Sequence, residues 1–561
     1  MEGPEVLDDF QARVNQIVES ALGAYDPKRR AKEKSIRDAV WGTSRYYSWE
    51  VAILDSPLLQ RLRDIRQTGL AYLVYPTALH TRFDHTLGMV AVVSRIVRSI
   101  NDKHPQRPDL LIQHADHLRV RLSALLHDVG HSCLSHVSEV IFGGSDEFRA
   151  LTRHVNALFG VTPKPHEIMS WLVVRSTPFQ DFIRRLAEKR ILPEDVCKPE
   201  DVEAMANNII GYRKDPSTKF LADIVNGPMD ADKLDYLVRD AYFAGPTVVY
   251  DLERFLQTVD AIEYPREQAD AREAPKVVRL SIPIEGVTAL EQIIISKLML
   301  FSYLYHHHKI RCVEGMYHEA LKRWIEQAKE GKKAGALPPL DHPVCFLALS
   351  DRSLLPDAWP PEVGGDRVAG EIVSMLTRRE LYKRALVISR LFIVGHDTDQ
   401  SAKTGFDKLF ECGRDLHASD ALRQQIVERA REIMKSKRYK EQTRELAKKL
   451  QLAHVLLDIP RSPTVEETEG VMVPISSQAD RADQRFVPLT DVFPIEKWVD
   501  AYNAIKWRGH VFALEEAVPF VNAAALETLR GIPYQLTFTA QATDLCKIPE
   551  PIRPDYTLGI T

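Results

Sequence analysis

Cysteine is scarce in this 561-residue chain: there are six, none of them in a C-x-x-C pair. That excludes a disulfide-stapled fold and gives no sign of a structural zinc site, and it fits a reducing compartment. Charge of one sign is missing too. Lys plus Arg number 74 against 78 for Asp plus Glu, a formal net charge of -4, which disfavours a protein whose main task is to coat nucleic acid. Glycine (26) and proline (33) stay near average usage, so collagenous, low-complexity and wholly disordered chains are excluded. No apolar run approaches the ~18 residues a membrane span needs. The opening MEGPEVLDDF is acidic and has no apolar signal region. The expectation is therefore a protein without a membrane partner, in the cytoplasm, or in the nucleus of a eukaryote. What is present in quantity is apolar residue, 45% of the chain, and histidine in one place: ten of the 19 fall between His80 and His166. Imidazole is the commonest protein metal ligand, so the chemistry is sought there.

Periodicity divides the chain into four parts. Residues 1–45 read as an N-terminal helix followed by a basic arm (Lys28, Arg29, Arg30, Lys32, Lys34). Residues 46–330 show apolar positions recurring at three and four spacings, which makes the core mostly α, with multiple helices. Residues 331–367, rich in Gly and Pro, read as a connector around one strand candidate, VCFLALS. Residues 368–561 read as a smaller α+β lobe, with a charged helix from about Ala421 to Leu450 and strand-like AHVLLDI, GVMVPI and GHVFAL. The segment SPTVEETEG between the first two strands reads as an exposed acidic loop.

Four segments concentrate reactive side chains. LHTRFDHTLGMVAVVSRIV carries His85 at the start of an apolar helix. RVRLSALLHDVGHSCLSHVSEVIF delivers adjacent His127 and Asp128, then His131 and His136. KPHEIM adds His166, and GPMDADKLDYLVRDAYFAG places Asp232, Tyr236 and Asp240 on one helix face with Lys233 beside them. Two histidines and two aspartates from separate helices suit a borderline divalent cation with positions left open for water and a phosphate oxygen.

In this order, with HDVGH and DADKLDY as written, the chain resembles the HD-domain metal-dependent phosphohydrolases, and within them the deoxynucleoside-triphosphate triphosphohydrolase branch. The likeness runs from about Ser56 to Lys309 and continues weakly through RRELYKR and VLLDIP. The resemblance implies an HD-domain core that holds a divalent metal (Mg, Mn, Fe, Zn, Ni or Co) on His85, His127, Asp128 and Asp232. It implies Arg82 and Lys233 on the phosphates, Gln67 near the sugar and the leaving oxygen, and Tyr236 and Asp240 at the deoxyribose. His131, His136 and His166 stand where the family keeps its proton-transfer histidines, with Asp232 also counted in the catalytic set. It further implies a nucleotide substrate, a homo-oligomer with an allosteric nucleotide between subunits, and a place in nucleotide-pool control or in defence against virus or phage.

Two features depart from the family pattern. On the helix ending SKLMLFSYLYHHHKIR, the places where the family offers Arg, His and Tyr to the nucleotide read Leu298, Ser302 and His306. The run His306–His308 is expected to turn one imidazole inward to replace a lost cation when protonated. Thr68 stands where a member of the branch has an apolar residue against the sugar. Three activities therefore stay open: hydrolysis of a dNTP to deoxynucleoside and tripolyphosphate, hydrolysis of a nucleoside monophosphate or another nucleotide phosphate ester, and a non-turning nucleotide-sensing or nucleic-acid-binding HD module. The basic residues Lys435, Lys437, Arg438 and Lys440 motivate the last.

Overall fold

A computed structural model describes residues 3–27, 32–105, 110–248, 250–264, 276–331, 340–354, 366–396, 398–436, 439, 441–460, 471–475 and 485–546. Lys28 to Arg30, Lys437, Arg438, Lys440 and the acidic loop SPTVEETEG lie outside the described residues. The chain forms two compact units, and both are threaded by several segments. The first comprises Met1–Leu300, Ala328–Ala358 and Val465–Pro494; the second comprises Phe301–Gln327, Trp359–Thr464 and Ile495–Thr561. This grouping differs from the sequence boundaries: the N-terminal helix and the connector up to Ala358 group with the first unit, whereas Phe301–Gln327 groups with the second.

The first unit is helical, and its helices follow from amphipathic spacing. In α1 (Pro4–Leu22), Val6, Phe10, Val14, Val18 and Leu22 form a fully buried stripe four residues apart. The hairpin β1 (Lys34–Asp38) and β2 (Gly42–Tyr46) follows. Then comes α2 (Arg82–Lys103), the axis of the unit. Thr81 caps it: its hydroxyl accepts the Asp84 N–H while the Asp84 carboxylate accepts the Thr81 N–H, which fixes Arg82 as the first helical residue and His85 one turn in. α3 (His114–Leu126) packs against α2 and ends one residue before His127. A nine-residue loop leads to α4 (His136–Gly143), and α5 (Pro165–Arg175), α6 (Thr177–Glu188) and α7 (Pro199–Ile209) follow. α1 packs on α6 and α7 packs on α5 and α3. Finally α8 (Ala231–Ala244) crosses α2. Two helices, α3 leading into His127 and α8 carrying Asp232, thus pack along α2, which carries His85.

The second unit is built around a three-stranded antiparallel sheet in which β3 (Lys383–Ile388) and β4 (Val455–Asp458) both pair with β5 (Gly509–Ala513) at the centre. α9 (Gln400–Cys412), α10 (Leu416–Lys435) and α12 (Val518–Arg530) bury Phe406, Ile426, Val427 and Val521 in the same core as Leu386 and Val511. The strand-like segments hold as strands at 455–458, 472–474 and 509–513.

Two sequence expectations are corrected, and one helix bears on the absence of a membrane span. VCFLALS is not a strand: Pro343–Ala348 winds into a 3-10 turn, opened by the His342 ring accepting the Val344 N–H. The charged helix is two helices, α10 and α11 (Glu441–Lys449), broken after Lys435 where Ser436 leaves helical geometry. One helical stretch, Ile284–Tyr305, is long and apolar enough to cross a membrane by length and composition, with mean hydropathy 1.4 over its best window; half of that window is buried inside the protein.

Candidate metal centre

His85 and His127 face each other with their Nε2 atoms 3.1 Å apart. Asp232 Oδ1 lies 2.9 Å from His85 Nε2, and Asp128 Oδ1 lies 3.3 Å from His127 Nε2. Both rings are fixed from behind. His85 Nδ1 is 2.6 Å from the Asp235 carboxylate and His127 Nδ1 is 2.7 Å from the Ala124 carbonyl oxygen. Carboxylates and carbonyls only accept, so each Nδ1 carries a proton and each Nε2 is the ring atom turned to the shared space, whose lone pair a bound cation would take. His85, His127 and Asp232 offer three donor atoms within 4.8 Å of one another. Ligands about 2.0–2.2 Å from a common cation and roughly at right angles stand about 3 Å apart, so this donor set fits a divalent ion. The space demands positive charge. Burial pushes the His85 imidazole down, but the hydrogen-bonded Asp232 and Asp235 outweigh it and lift it to about 10.

Asp235 is the residue that sequence reasoning missed. It is fully buried, and it receives Arg239 Nε at 2.8 Å and the Trp41 indole N–H, while Arg239 Nη1 reaches Asp38 at 2.8 Å. Gly88 makes room for this network. A Cβ at Gly88 would stand 1.9 Å from Asp235 Oδ1 and 2.3 Å from Arg239 Nη2. The only trace in the sequence is the i, i+4 pair Asp235 and Arg239, which reads like a solvated helix face.

Beside the cation space lies a second cluster. His131 and His166 stack at 3.9 Å, and Glu139 takes His166 Nδ1 at 3.0 Å and His136 Nδ1 at 2.6 Å. Asp128 links the two clusters: its Oδ1 is 3.3 Å from His131 Nε2 and its Oδ2 accepts Arg82 Nη1 at 2.9 Å. Burial alone would raise the Asp128 carboxyl, but Arg82 and His127 hold it well below its usual value. Burial, with Arg82 and His166 alongside, pushes the His131 imidazole well below its usual value, which favours the neutral ring; its Nε2 faces the Asp128 carboxylate and its Nδ1 has no hydrogen-bond partner. His166 goes the other way, since Glu139 overcomes the burial. Glu139 itself was not anticipated from the sequence.

The loop carrying these groups is tightly held. Ser170 Oγ accepts the Gly130 N–H at 2.8 Å and donates to the His127 carbonyl at 2.6 Å. A Cβ at Gly130 would meet the Ser170 backbone nitrogen at 2.3 Å. Leu134 (φ 57) and Ser135 (φ 50) are consecutive non-glycine residues in left-handed conformation, which persists only where the surroundings impose it. Ser135 Oγ donates to the Arg66 carbonyl at 2.7 Å and accepts Arg82 Nε at 3.0 Å.

The remaining sequence-derived residues are placed as follows. Gln67 is buried beside Arg82, whose Nη2 reaches its carbonyl at 3.4 Å, and Gln67 Oε1 has no partner. Lys233 donates to Asp230 at 2.7 Å and to the Gly227 carbonyl at 2.9 Å. Asp240 faces His80 Nε2 at 2.8 Å, both buried, and Tyr236 sits half-buried one turn after Asp232. His306 belongs to the second unit, as do His307 and His308. The run does not lie on a continuous helix: it falls between a π turn at Phe301–Tyr305 and the helix His308–Lys329. Burial, then Arg311, pushes His306 down to about 4; burial, then Arg384, pushes His308 down to about 3; and burial and Lys309 lower His307. Burial and these neighbouring cations thus work against a charged ring in this run.

Residues 82–198 match the family described as HD domain, and 276–404 match the HD associated region. The chain carries an HD domain. The HD domain holds His85, His127, Asp128 and the three clustered histidines, while Asp232 arrives from α8 beyond it. Among known proteins, the chain is 28% identical over 358 residues to an uncharacterised protein of Methanocaldococcus jannaschii, covering 64% of this chain and 60% of that one. It is 24% identical over 409 residues to the deoxynucleoside triphosphate triphosphohydrolase SAMHD1 homolog of Dictyostelium discoideum, covering 72% and 69%. It is 32% identical over 234 residues to the deoxynucleoside triphosphate triphosphohydrolase SAMHD1 of Bos taurus, covering 40% and 38%. The chain thus spans between about two fifths and two thirds of these relatives.

Proposed function

We propose that this chain is a metal-dependent nucleotide phosphohydrolase that cleaves deoxynucleoside triphosphates at the α-phosphorus, releasing deoxynucleoside and tripolyphosphate. The observation that carries the reading is the pairing of two back-fixed imidazole lone pairs and two carboxylates with an adjoining histidine cluster. His85, His127, Asp128 and Asp232 would hold a divalent cation, which when bound supplies Lewis-acid activation of water and of a phosphoryl oxygen. Arg82, fixed on Asp128 and Ser135, presents its guanidinium to phosphate. His131, held neutral with its Nε2 against Asp128, would turn its unpartnered Nδ1 side to a phosphate oxygen. His136 has a side chain 64% exposed, and its Nδ1 is bonded to Glu139. In that position it hands a proton to the departing 5′ oxygen as the P–O5′ bond breaks, and Glu139 stabilises the charged ring. Gln67, with an unpartnered Oε1, adjoins the sugar. The names of the Dictyostelium and bovine relatives support the substrate class.

A second reading, hydrolysis of a nucleoside monophosphate, draws on Lys233 being committed to Asp230 and on Leu298 and Ser302 standing where the family pattern has polar groups. Product analysis separates the two. Metal-loaded protein incubated with each dNTP, rNTP and dNMP is resolved by ion-exchange chromatography. Tripolyphosphate with deoxynucleoside is the expected outcome. Orthophosphate from a dNMP selects the second reading, and no turnover with metal bound would overturn both.

We also propose nucleotide-dependent assembly. A phosphate held between subunits by the basic arm and Arg378, Arg379 and Lys383 would bridge like-charged surfaces, so turnover of one dNTP should rise on addition of a second nucleotide, with growth of the oligomer in light scattering. Full activity from a monomer on one dNTP would remove this claim.

A further inference from the structure

A buried carboxylate that accepts two backbone N–H groups from different loops fixes the distance between those loops, because each orphaned amide would lose its only partner if the carboxylate left. Asp351 is such a group. It stands in a short 3-10 turn of the segment that reads in sequence as a linker, and it is 3% exposed. Its Oδ1 accepts the Leu134 N–H at 2.6 Å and its Oδ2 accepts the Arg66 N–H at 2.9 Å, with Arg66 Nη1 at 3.7 Å. One partner is the first of the two left-handed residues that lead into His136. The other precedes Gln67, and its carbonyl takes the Ser135 hydroxyl. Neighbouring residues clamp the same two loops: the Phe346 carbonyl accepts Ser132 Oγ at 2.7 Å, Arg61 bridges the Leu349 and Val129 carbonyls, and Arg352 pairs with Asp64 at 2.9 Å.

We infer that Asp351 is a positioning residue for the reaction, holding the Leu134–His136 turn and the Arg66–Gln67 turn at the spacing that sets His136 and Gln67 against the substrate. This rests on the phosphohydrolase reading for its effect on turnover, but the placement itself does not. The charged and titratable groups facing Asp351 are Arg66, Arg82, Tyr72 and Cys133. Burial raises its carboxyl to about 6, against the pull of the two backbone N–H groups and of Arg66 and Arg82. Below that pH a protonated Asp351 has one acceptor fewer to share between the two loops, so the structure links loop spacing to pH in the mildly acidic range.

The test is Asp351→Asn in the full, metal-loaded chain. Asn keeps one carbonyl acceptor but turns an amide N–H towards the other loop. Metal content per chain should be unchanged and KM should move by no more than about 2-fold, while kcat falls by about 10- to 100-fold, the scale of a small misplacement of reacting groups. The acidic limb of kcat near pH 6 should move or flatten. Asp351→Glu, which retains the charge, should restore part of kcat and that limb. Hydrogen exchange gives a readout independent of turnover: the peptide spanning Leu134 should lose protection in Asp351→Asn. Should the wild type turn over no nucleotide, exchange still decides the placement. Should both variants fail to fold, the wild-type Leu134 amide should be protected at pH 7 and lose protection below pH 6. Unchanged kcat and unchanged exchange in a folded Asp351→Asn, activity lost only in proportion to metal, or an unprotected wild-type Leu134 amide would each overturn the inference.

Discussion

Asp235 decides what His85 can do. The carboxylate selects the tautomer that leaves Nε2 facing His127, and it adds negative charge behind the ring, so the donor set tolerates neither a neutral nor a differently turned residue there. Asp235→Asn should weaken metal binding by about 10- to 100-fold with helical content unchanged, read by competition with a chelating dye. Undiminished affinity would reduce Asp235 to a packing residue. His85, His127, Asp128 and Asp232 could be singled out in the sequence because their types and order resemble a known family's motif, and the fold brings them together. Asp235, Arg239, Glu139 and Asp351 could not. Each is a charged residue in a charged neighbourhood, and only burial distinguishes them from solvated ones; burial is a property of chains folded against each other. The same blindness misread the three histidines. Burial beside Arg311 and Arg384 opposes the expected cationic role, so replacing all three with Ala should leave the pH dependence of KM between 6 and 8 unaltered. A KM that strengthens towards pH 6 only in the wild type would show that a ligand overcomes that opposition.

At the scale of elements, close approach rather than propensity sets the site. α8 reaches α2 because Gly88 leaves its Cβ position to Asp235 and Arg239. Gly88→Ala favours a helix by intrinsic propensity, yet the added methyl must displace a buried ion pair, so it should destabilise the first unit by about 1–3 kcal/mol and weaken metal binding as well. A thermal melt with metal titration checks both, and a stabilised variant would sink the argument. Helix existence was readable from apolar spacing for α1, α2 and α8, since one buried stripe suffices to recognise them. The 3-10 turn at Pro343–Ala348 was not, because a short apolar run bounded by turn residues fits a strand equally well and tertiary hydrogen bonds to Ser132 made the choice. The break after Lys435 escaped for a related reason: a charged, weakly apolar sequence continues the helical pattern across a residue that leaves the helix.

For the whole molecule, the metal centre closes one unit and not the other. Its donors come from α2, α8 and the loop after α3, so a cation bound at 100 times its dissociation constant should add about 2.7 kcal/mol to the folded first unit. Chelation should raise hydrogen exchange across 82–136 and 231–244 while β3 and β5 stay as protected as before; equal change in both units would contradict the separate placement of the site. The two-unit division was itself partly legible, since the Gly- and Pro-rich stretch marks a change of texture. What the pattern could not convey is that this stretch returns to the first unit to supply Asp351. The threading of each unit through three chain segments has a consequence for synthesis. When the ribosome has made the HD domain, the first unit still lacks the segment around Asp351, and it remains incomplete until residue 494 has emerged. At ordinary elongation rates the stretch between those two events takes a few tens of seconds, roughly 15–60 s. During that interval the nascent chain holds its histidines on an unfinished scaffold, so the yield of folded protein depends on what shields that intermediate, and a fragment cut at the apparent end of the core stops at the stage the ribosome passes through.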